Sequence, residues 1–192
     1  MGRPPRHDAD RLLDAAVELA AEAGPRGVTM AAVARAAGAP SGSVYHRFPD
    51  RTALLSELWL RTVTRFQDGF LAAVQAPPRE AAVAAARHVL EWCREHPAEA
   101  DVLLAGPGAY GFADWPAEAR ERLEKGNAQV DEALGGLAER LGRSGESGRA
   151  RVFLAVVDLP LAVVRRHLGR GGPIPDLEVG TVTDAVQDLL AG

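Results

Sequence analysis

Helical periodicity along nearly the whole of this 192-residue chain constrains its fold more than any other feature. Apolar side chains recur at intervals of three and four residues, the spacing that places them on one face of a helix. No stretch alternates between apolar and polar residues with the period of two that a half-buried strand requires. The sequence therefore predicts an all-α fold.

Glycine and proline residues divide the periodic pattern into about nine helices. A first helix opens at Asp8 or Asp10 and stops at Gly24-Pro25, and Thr29 is suited to cap the second. We expect helices over residues 8–24, 30–37, 41–48, 51–76, 79–95, 98–105, 116–141, 149–168 and 176–190. Pro160 should kink the helix that contains it, since proline removes a backbone hydrogen bond.

Composition narrows the class of protein. Apolar residues make up 47% of the chain and charged residues 25%, which is ordinary for a globular protein. The single cysteine, Cys93, excludes an internal disulfide framework and a multi-cysteine zinc site. No signal segment opens the chain and no run of about 18 apolar residues occurs, so we expect a cytoplasmic protein with no membrane partner.

The stretch from Thr29 to Leu55, TMAAVARAAGAPSGSVYHRFPDRTALL, carries the functional information. It predicts two short helices joined by a tight turn at Gly38, the arrangement of a helix-turn-helix whose second helix enters the major groove of DNA. Val44 and Phe48 are spaced to pack the second helix onto the first. The remaining side chains of the second helix are small or polar and would face outward, as a groove-reading surface requires.

This stretch resembles the TetR (tetracycline repressor) family. The matching positions are Thr29, Val33, Ala34, Ala37, Gly38, Gly42, Val44, Tyr45 and Phe48, and the resemblance covers about residues 8–56. It implies an N-terminal three-helix DNA-binding domain, residues 1–50, and a helical effector-binding and dimerisation domain, residues 51–192. It also implies a homodimer that binds a double-stranded DNA operator and a small-molecule effector.

The resemblance carries DNA-binding roles onto particular positions. Thr29 and Tyr45 resemble phosphate contacts, and Arg51 stands where the family has a lysine. The predicted DNA-binding residues are Thr29, Ser41, Gly42, Ser43, Tyr45, His46, Arg47 and Arg51. Pro40 departs from the family, because a serine usually caps the recognition helix there.

The segment before the first helix, residues 2–6, is basic and contains two prolines. It lies along the minor groove or is a disordered tail, and the sequence does not separate the two.

Aromatic residues beyond the helix-turn-helix predict a mostly apolar effector cavity. The glycine-rich segment from Gly106 to Trp115 is expected to be a loop acting as a mobile lid or entrance. The predicted ligand-binding residues are Phe66, Phe70, Trp92, Tyr110, Phe112, Trp115, Phe153, Val157 and Asp158. Asp158 lies in an otherwise apolar segment and should be buried with a partner. That partner is an arginine across a dimer or the ligand itself.

These features favour a ligand-responsive repressor over two alternatives. An architectural or activating DNA-binding protein would share the helix-turn-helix but need no effector. An enzyme would need a catalytic set, and the chain has no phosphate-binding glycine loop, metal-ligand spacing or nucleophile motif. We therefore expect no enzymatic activity, cofactor or metal. A two-fold dimer should form through residues 149–168 and 176–190, because the first of these helices is apolar over a wide arc.

Overall fold

The computed structural model describes the backbone of residues 5–191 and the side chains of residues 9–191. All the regular secondary structure in that part of the chain is helical, which confirms the all-α prediction. The helices are α1 (Pro5–Gly27), α2 (Met30–Ala36), α3 (Ser41–Arg47), α4 (Arg51–Val74), α5 (Pro78–Glu95), α6 (Pro97–Ala109), α7 (Ala117–Arg140), α8 (Gly145–Phe153), α9 (Leu159–Leu168) and α10 (Asp176–Leu190). Residues 2–4, the first part of the basic segment, lie outside the described residues.

Two glycine-proline pairs interrupt helices. Gly24 (φ 68°) breaks α1 and Gly106 (φ 75°) breaks α6, both in the left-handed region that glycine adopts without a steric penalty. Each is followed by a proline, and the helix then continues for only a short final turn. The stop expected at Gly24-Pro25 is therefore confirmed as a break in the helix.

The helix that contains Pro160 does not end at the proline. A π-helical segment, Leu154–Asp158, joins α8 to α9, and the Leu159 N–H donates to the carbonyl of Leu154, five residues back. The wider π-helical turn accommodates Pro160, which is the second residue of α9. With α8, this segment and α9 counted as one helix, the described residues form nine long or short α-helical elements, beside a single turn of 3-10 helix at Phe112–Asp114. This helix begins at Gly145, four residues before the expected start.

The described chain packs as two compact units. The first contains the chain up to Val63 together with Ala98–Leu123, and the second contains Thr64–Pro97 and the chain from Glu124 onward. The expected boundary at residue 50 separates a DNA-binding domain from an effector-binding domain by function. The division into packing units does not test that boundary, which stays a prediction.

The first unit has an apolar core built by α1, α2, α3 and the first half of α4. Val28, Val33, Val44, Leu54 and Leu58 are completely buried there. In the same unit, residues of α6 and α7 add to this core. Burying five such side chains supplies on the order of 10 kcal/mol toward folding.

In the second unit, α5 packs against the π-helical segment, α9 and α10. Its buried face is rich in alanine, which allows neighbouring helices to approach closely. An ion pair between Arg94 and Asp176 joins the end of α5 to the start of α10. Arg140 of α7 donates to the carbonyls of Val74 and Ala76, which stabilises the end of α4. Within the described residues, no helix is long and apolar enough to cross a membrane.

Candidate functional site

Both ends of α2 are fixed by local hydrogen bonds. The Thr29 hydroxyl accepts from the Ala32 N–H at 3.1 Å, which confirms Thr29 as the N-cap. At the other end, Gly38 has φ 62°, and its N–H donates to the carbonyl of Arg35 while the Ala39 N–H donates to that of Ala34. This is a Schellman motif, which needs a left-handed residue at the position of Gly38.

α3 packs on α2 through Val44 and Phe48, the two residues predicted for this contact. Val44 is completely buried and Phe48 is 4% exposed, in the same core as Val33 and Ala34. The small Ala34 side chain lets the two helices approach closely. The orientation of α3 is therefore set by apolar packing on one face, which leaves its other face to solvent.

The exposed face of α3 contains five of the eight residues predicted to bind DNA. Ser41, Gly42, Tyr45, His46 and Arg47 are exposed, and Tyr45 retains 57% of its accessible surface. A tyrosine that packed only as a core aromatic would be buried, so this exposure favours an outward role for its hydroxyl.

Ser43 is partly buried, and its hydroxyl donates to the Pro40 carbonyl at 2.6 Å. Pro40 occupies the N-cap position of α3 and supplies no side-chain hydrogen bond there. The cap that the family obtains from serine is therefore not made by residue 40 in this chain.

The start of α4 lies against the connection between α1 and α2. The Asp50 carboxylate accepts from the Ala53 N–H at 2.8 Å and caps α4. The Arg51 guanidinium donates from Nε to the Val28 carbonyl at 2.8 Å and from Nη2 to the Pro25 carbonyl at 2.6 Å. The sequence predicted a DNA contact for Arg51 but did not reveal these main-chain contacts.

Arg11 of α1 makes a similar contact that the sequence analysis missed. Its Nη2 donates to the Ala37 carbonyl, at the C-terminal end of α2, at 2.9 Å. The only sequence signal was an arginine on the edge of the apolar face of the first helix.

Three of the predicted ligand-binding residues lie together in the second unit. Phe66 stacks with Phe70 and makes an edge contact with Trp92, at ring-centroid distances of 6.3 and 5.3 Å. His88, which was not predicted, completes the cluster: its ring lies 5.3 Å from that of Phe66, and its Nε2 is 2.9 Å from the Phe66 carbonyl. Burial lowers the pKa of His88, opposed by that hydrogen bond and by the charges of Glu91 and Glu95.

Gly69 is what allows His88 to take this position. A β-carbon at residue 69 would lie 2.3 Å from Cε1 of the imidazole. The position of the His88 imidazole against α4 therefore depends on glycine at residue 69.

A cavity of about 840 Å³ runs along α5, between that helix and the C-terminal end of α10. Val83, His88, Trp92, Val186 and Leu190 contribute apolar and aromatic surface to it. Charged side chains, including Arg79, Glu80, Arg87, Glu91, Glu95 and Asp188, also line it. The volume is within the range of about 300–1,000 Å³ found for small-molecule sites.

Tyr110, Phe112 and Trp115 lie in the first unit, where they pack with Trp59. The Trp115 ring is 5.9 Å from Trp59 and 5.3 Å from Phe112, and its Nε1 donates to the Tyr110 carbonyl at 2.9 Å. Tyr110 is 1% exposed, and burial together with the charge of Asp101 raises its pKa to about 12. Tyr110 and Trp115 are thus core residues of this unit, whereas the sequence suggested a mobile lid.

Phe153, Val157 and Asp158 belong to the helix that contains the π-helical segment. Phe153 is 40% exposed and borders a groove of about 580 Å³ between α7 and α8. Val157 is partly buried and Asp158 is exposed. The expectation of a buried Asp158 is wrong for the single chain, because the carboxylate reaches solvent and needs no partner.

The comparisons with known proteins agree with this architecture. Residues 12–58 match the family model described as bacterial regulatory proteins, tetR family. No curated protein matches the sequence. The match covers α2, α3 and parts of α1 and α4, and it confirms the resemblance to the TetR family.

Solved structures of transcriptional regulators, among them TetR-family proteins, share the fold over almost the whole chain. The regulator PfmR from Thermus thermophilus has a TM-score of 0.70 at 20% identity, with 94% of this chain and 97% of that chain covered. FadR from Bacillus subtilis, solved in complex with stearoyl-CoA, gives 0.67 at 17% identity, with 94% and 96% covered. The ketosteroid regulator KstR2 of Mycobacterium tuberculosis gives 0.71 at 19% identity, with 96% and 94% covered.

Proposed function

We propose that this chain, which has the DNA-binding segment of the tetR family and the fold of its regulators, is a ligand-responsive transcriptional repressor. It acts in the cytoplasm as a homodimer, binds a palindromic operator, and is released by a small, mostly apolar effector. The observation that carries the proposal is the exposed polar face of α3, held on α2 by the buried Val44.

DNA recognition divides between two kinds of contact. Thr29, Tyr45, Arg47 and Arg51 contact phosphates, which gives affinity that depends on salt but carries no sequence information. Ser41, Ser43 and His46 lie against base edges or adjacent phosphates and contribute sequence preference, and Gly42 lets the backbone approach the phosphates. The Nε and Nη2 groups of Arg51 donate to the carbonyls of Val28 and Pro25, whereas its Nη1 group donates to neither of them.

Effector binding is proposed in the second unit, beside Phe66, Phe70 and Trp92. Support comes from the 840 Å³ cavity that Trp92 borders. The Bacillus subtilis neighbour is in complex with stearoyl-CoA and the Mycobacterium tuberculosis neighbour is a ketosteroid regulator, so fatty-acyl and steroid compounds are the first classes to test. Tyr110, Phe112, Trp115, Phe153, Val157 and Asp158 stay in the proposed set as further candidates.

The DNA-binding proposal is tested by selection from a random-sequence duplex library. We expect the wild-type chain to enrich one palindrome, and fluorescence anisotropy to give a dissociation constant of roughly 10⁻⁸–10⁻¹¹ M at physiological salt. On the selected duplex, the Tyr45→Phe variant should bind more weakly than wild type. Failure to enrich any sequence would remove the proposal.

The effector proposal needs a separate screen for operator release and thermal shift, with fatty acids, acyl-CoA and steroids as probes. Compounds that release wild type should lose potency on Trp92→Leu and Phe153→Ala. Equal potency on both variants and on Trp115→Ala would place the effector elsewhere. If no compound acts, a ligand-independent or activating DNA-binding protein becomes the better description.

A further inference from the structure

We propose that Arg11 and Arg51 are positioning residues for operator recognition. Through main-chain carbonyls, Arg51 holds the connection that leads from α1 into α2, and Arg11 holds the residue that follows α2; α3 is carried on α2. The inference rests on the proposed DNA-binding function. It assigns to Arg51 a role beyond charge and to Arg11 a role that the TetR resemblance did not assign.

Arg51 holds the entry to α2. Its Nε and Nη2 groups reach two carbonyls that are three residues apart, those of Val28 and Pro25. Both N–H groups point from one edge of the planar guanidinium, which is the geometry for two parallel bonds. A lysine ammonium carries the same charge on a single nitrogen, so it does not reproduce this fork. The two hydrogen bonds therefore require arginine at position 51, whereas a role that needed only a positive charge would be met by lysine as well.

Arg11 holds the exit from α2. The carbonyl of Ala37 follows the last turn of α2, where carbonyl groups have no partner within the helix and the helix dipole is negative. A single N–H of Arg11 occupies that carbonyl at 2.9 Å. Since only one donor is used, a lysine long enough to reach would serve nearly as well.

The two contacts bear on α3 because α2 and α3 form one packed pair. Val44 packs α3 on α2, and the turn between them at Gly38 is closed by two hydrogen bonds back to α2. A shift of α2 therefore moves the face of α3. Hydrogen bonds to base edges weaken steeply when distance or angle departs from the optimum, whereas attraction to phosphates changes little over the same displacement.

The experiment compares conservative and non-conservative variants on two duplexes of equal length. One is the palindrome that wild type selects from a random library, and the other is unrelated in sequence. We expect Arg51→Lys to lower affinity for the palindrome about ten-fold, about 1.4 kcal/mol, with affinity for the unrelated duplex and the salt slope unchanged. Arg11→Gln should lower the ratio of the two affinities by a similar factor, and Arg11→Lys should restore it to within about three-fold of wild type.

Arg26→Gln is the matched control. Arg26 is an exposed arginine beside Pro25, and the described residues show no hydrogen bond or ion pair made by its side chain. Its variant should keep the affinity ratio of wild type, and thermal unfolding should show each variant to be folded at the binding temperature.

Three results overturn the inference. Arg51→Lys with the affinity ratio of wild type would show that charge is all that position 51 supplies. Equal loss on both duplexes would show a general loss of binding rather than a loss of positioning. A wild-type chain without any preference would remove the proposed DNA-binding function itself, and with it this role for both arginines.

Discussion

At the scale of single residues, the helix-turn-helix depends on a few positions with strict backbone or hydrogen-bonding requirements. Gly38 supplies a left-handed turn, Thr29 caps α2, and Arg11 and Arg51 occupy main-chain carbonyls. The sequence predicted the first two, because glycine after a helix and threonine before one are local signals. It could not predict the carbonyl contacts, since each joins residues more than twenty positions apart.

Replacing Gly38 tests the turn directly. Gly38→Ala places a β-carbon at φ 62° and should lower the free energy of unfolding by about 1–2 kcal/mol, measured by urea denaturation. Gly42→Ala is the control, because Gly42 is helical and a β-carbon there meets nothing within 4 Å. It should leave stability unchanged or raise it by up to about 1 kcal/mol. Equal effects at the two positions would contradict the assigned turn.

Phosphate and base contacts should separate in binding measurements. Tyr45→Phe should weaken binding to operator and unrelated DNA alike. Arg51→Ala should lower the salt slope by about one and weaken binding to both duplexes, with the larger loss on the operator because the hydrogen bonds to the Val28 and Pro25 carbonyls are lost as well. Ser43→Ala and His46→Ala should alter sequence preference and cost about 1–3 kcal/mol on the native site. An Arg51→Ala variant with an unchanged salt slope would refute its phosphate contact.

His88 predicts a pH dependence of stability. Because burial lowers its pKa below the ordinary 6.5, the unfolded chain binds this proton at a higher pH than the folded chain. The unfolding free energy should therefore fall as pH falls from about 6.5 toward the lowered pKa, and be regained above 6.5. Urea denaturation from pH 8 to pH 5 should show wild type losing stability relative to His88→Gln. A difference between the two that stays constant with pH would contradict this account.

At the scale of elements, the pattern of apolar residues predicted the number of helices, but the start of one helix and its internal geometry differ from the prediction. The helix around Pro160 continues through a π-helical turn, and it starts at Gly145 rather than at the expected residue 149. Gly69 and His88 were missed for a related reason, because their fit depends on how closely α4 approaches α5. A helical pattern specifies which face is apolar but not the distance to the neighbouring helix.

The apolar face of α8 and the π-helical segment predicts the dimer. Phe153 is 40% and Leu154 49% exposed in the single chain, which is unusual for adjacent large apolar residues. Leu154→Arg should convert a dimer at micromolar concentration into a monomer of about 20 kDa by sedimentation. Ala113→Arg, at an exposed position of the first unit, should remain dimeric. A stable wild-type monomer would refute the predicted dimer.

At the scale of the whole molecule, the account requires two recognition helices that read two half-sites at once. A dimer with two-fold symmetry binds half-sites whose centres are separated by about one helical turn of DNA or a multiple of it. Affinity should therefore depend on the spacing of the half-sites as well as on their sequence. A protein that bound DNA only through its charge would be indifferent to both.

The measurement that tests this claim most directly is fluorescence anisotropy on three duplexes at one salt concentration. They are the selected palindrome, the same palindrome with five base pairs inserted at its centre, and a scrambled duplex of matched length. We predict binding to the palindrome at least about 10³-fold tighter than to the scrambled duplex, and loss of most of that advantage on insertion. Equal affinity for all three duplexes would contradict the assignment of this chain as a sequence-specific repressor.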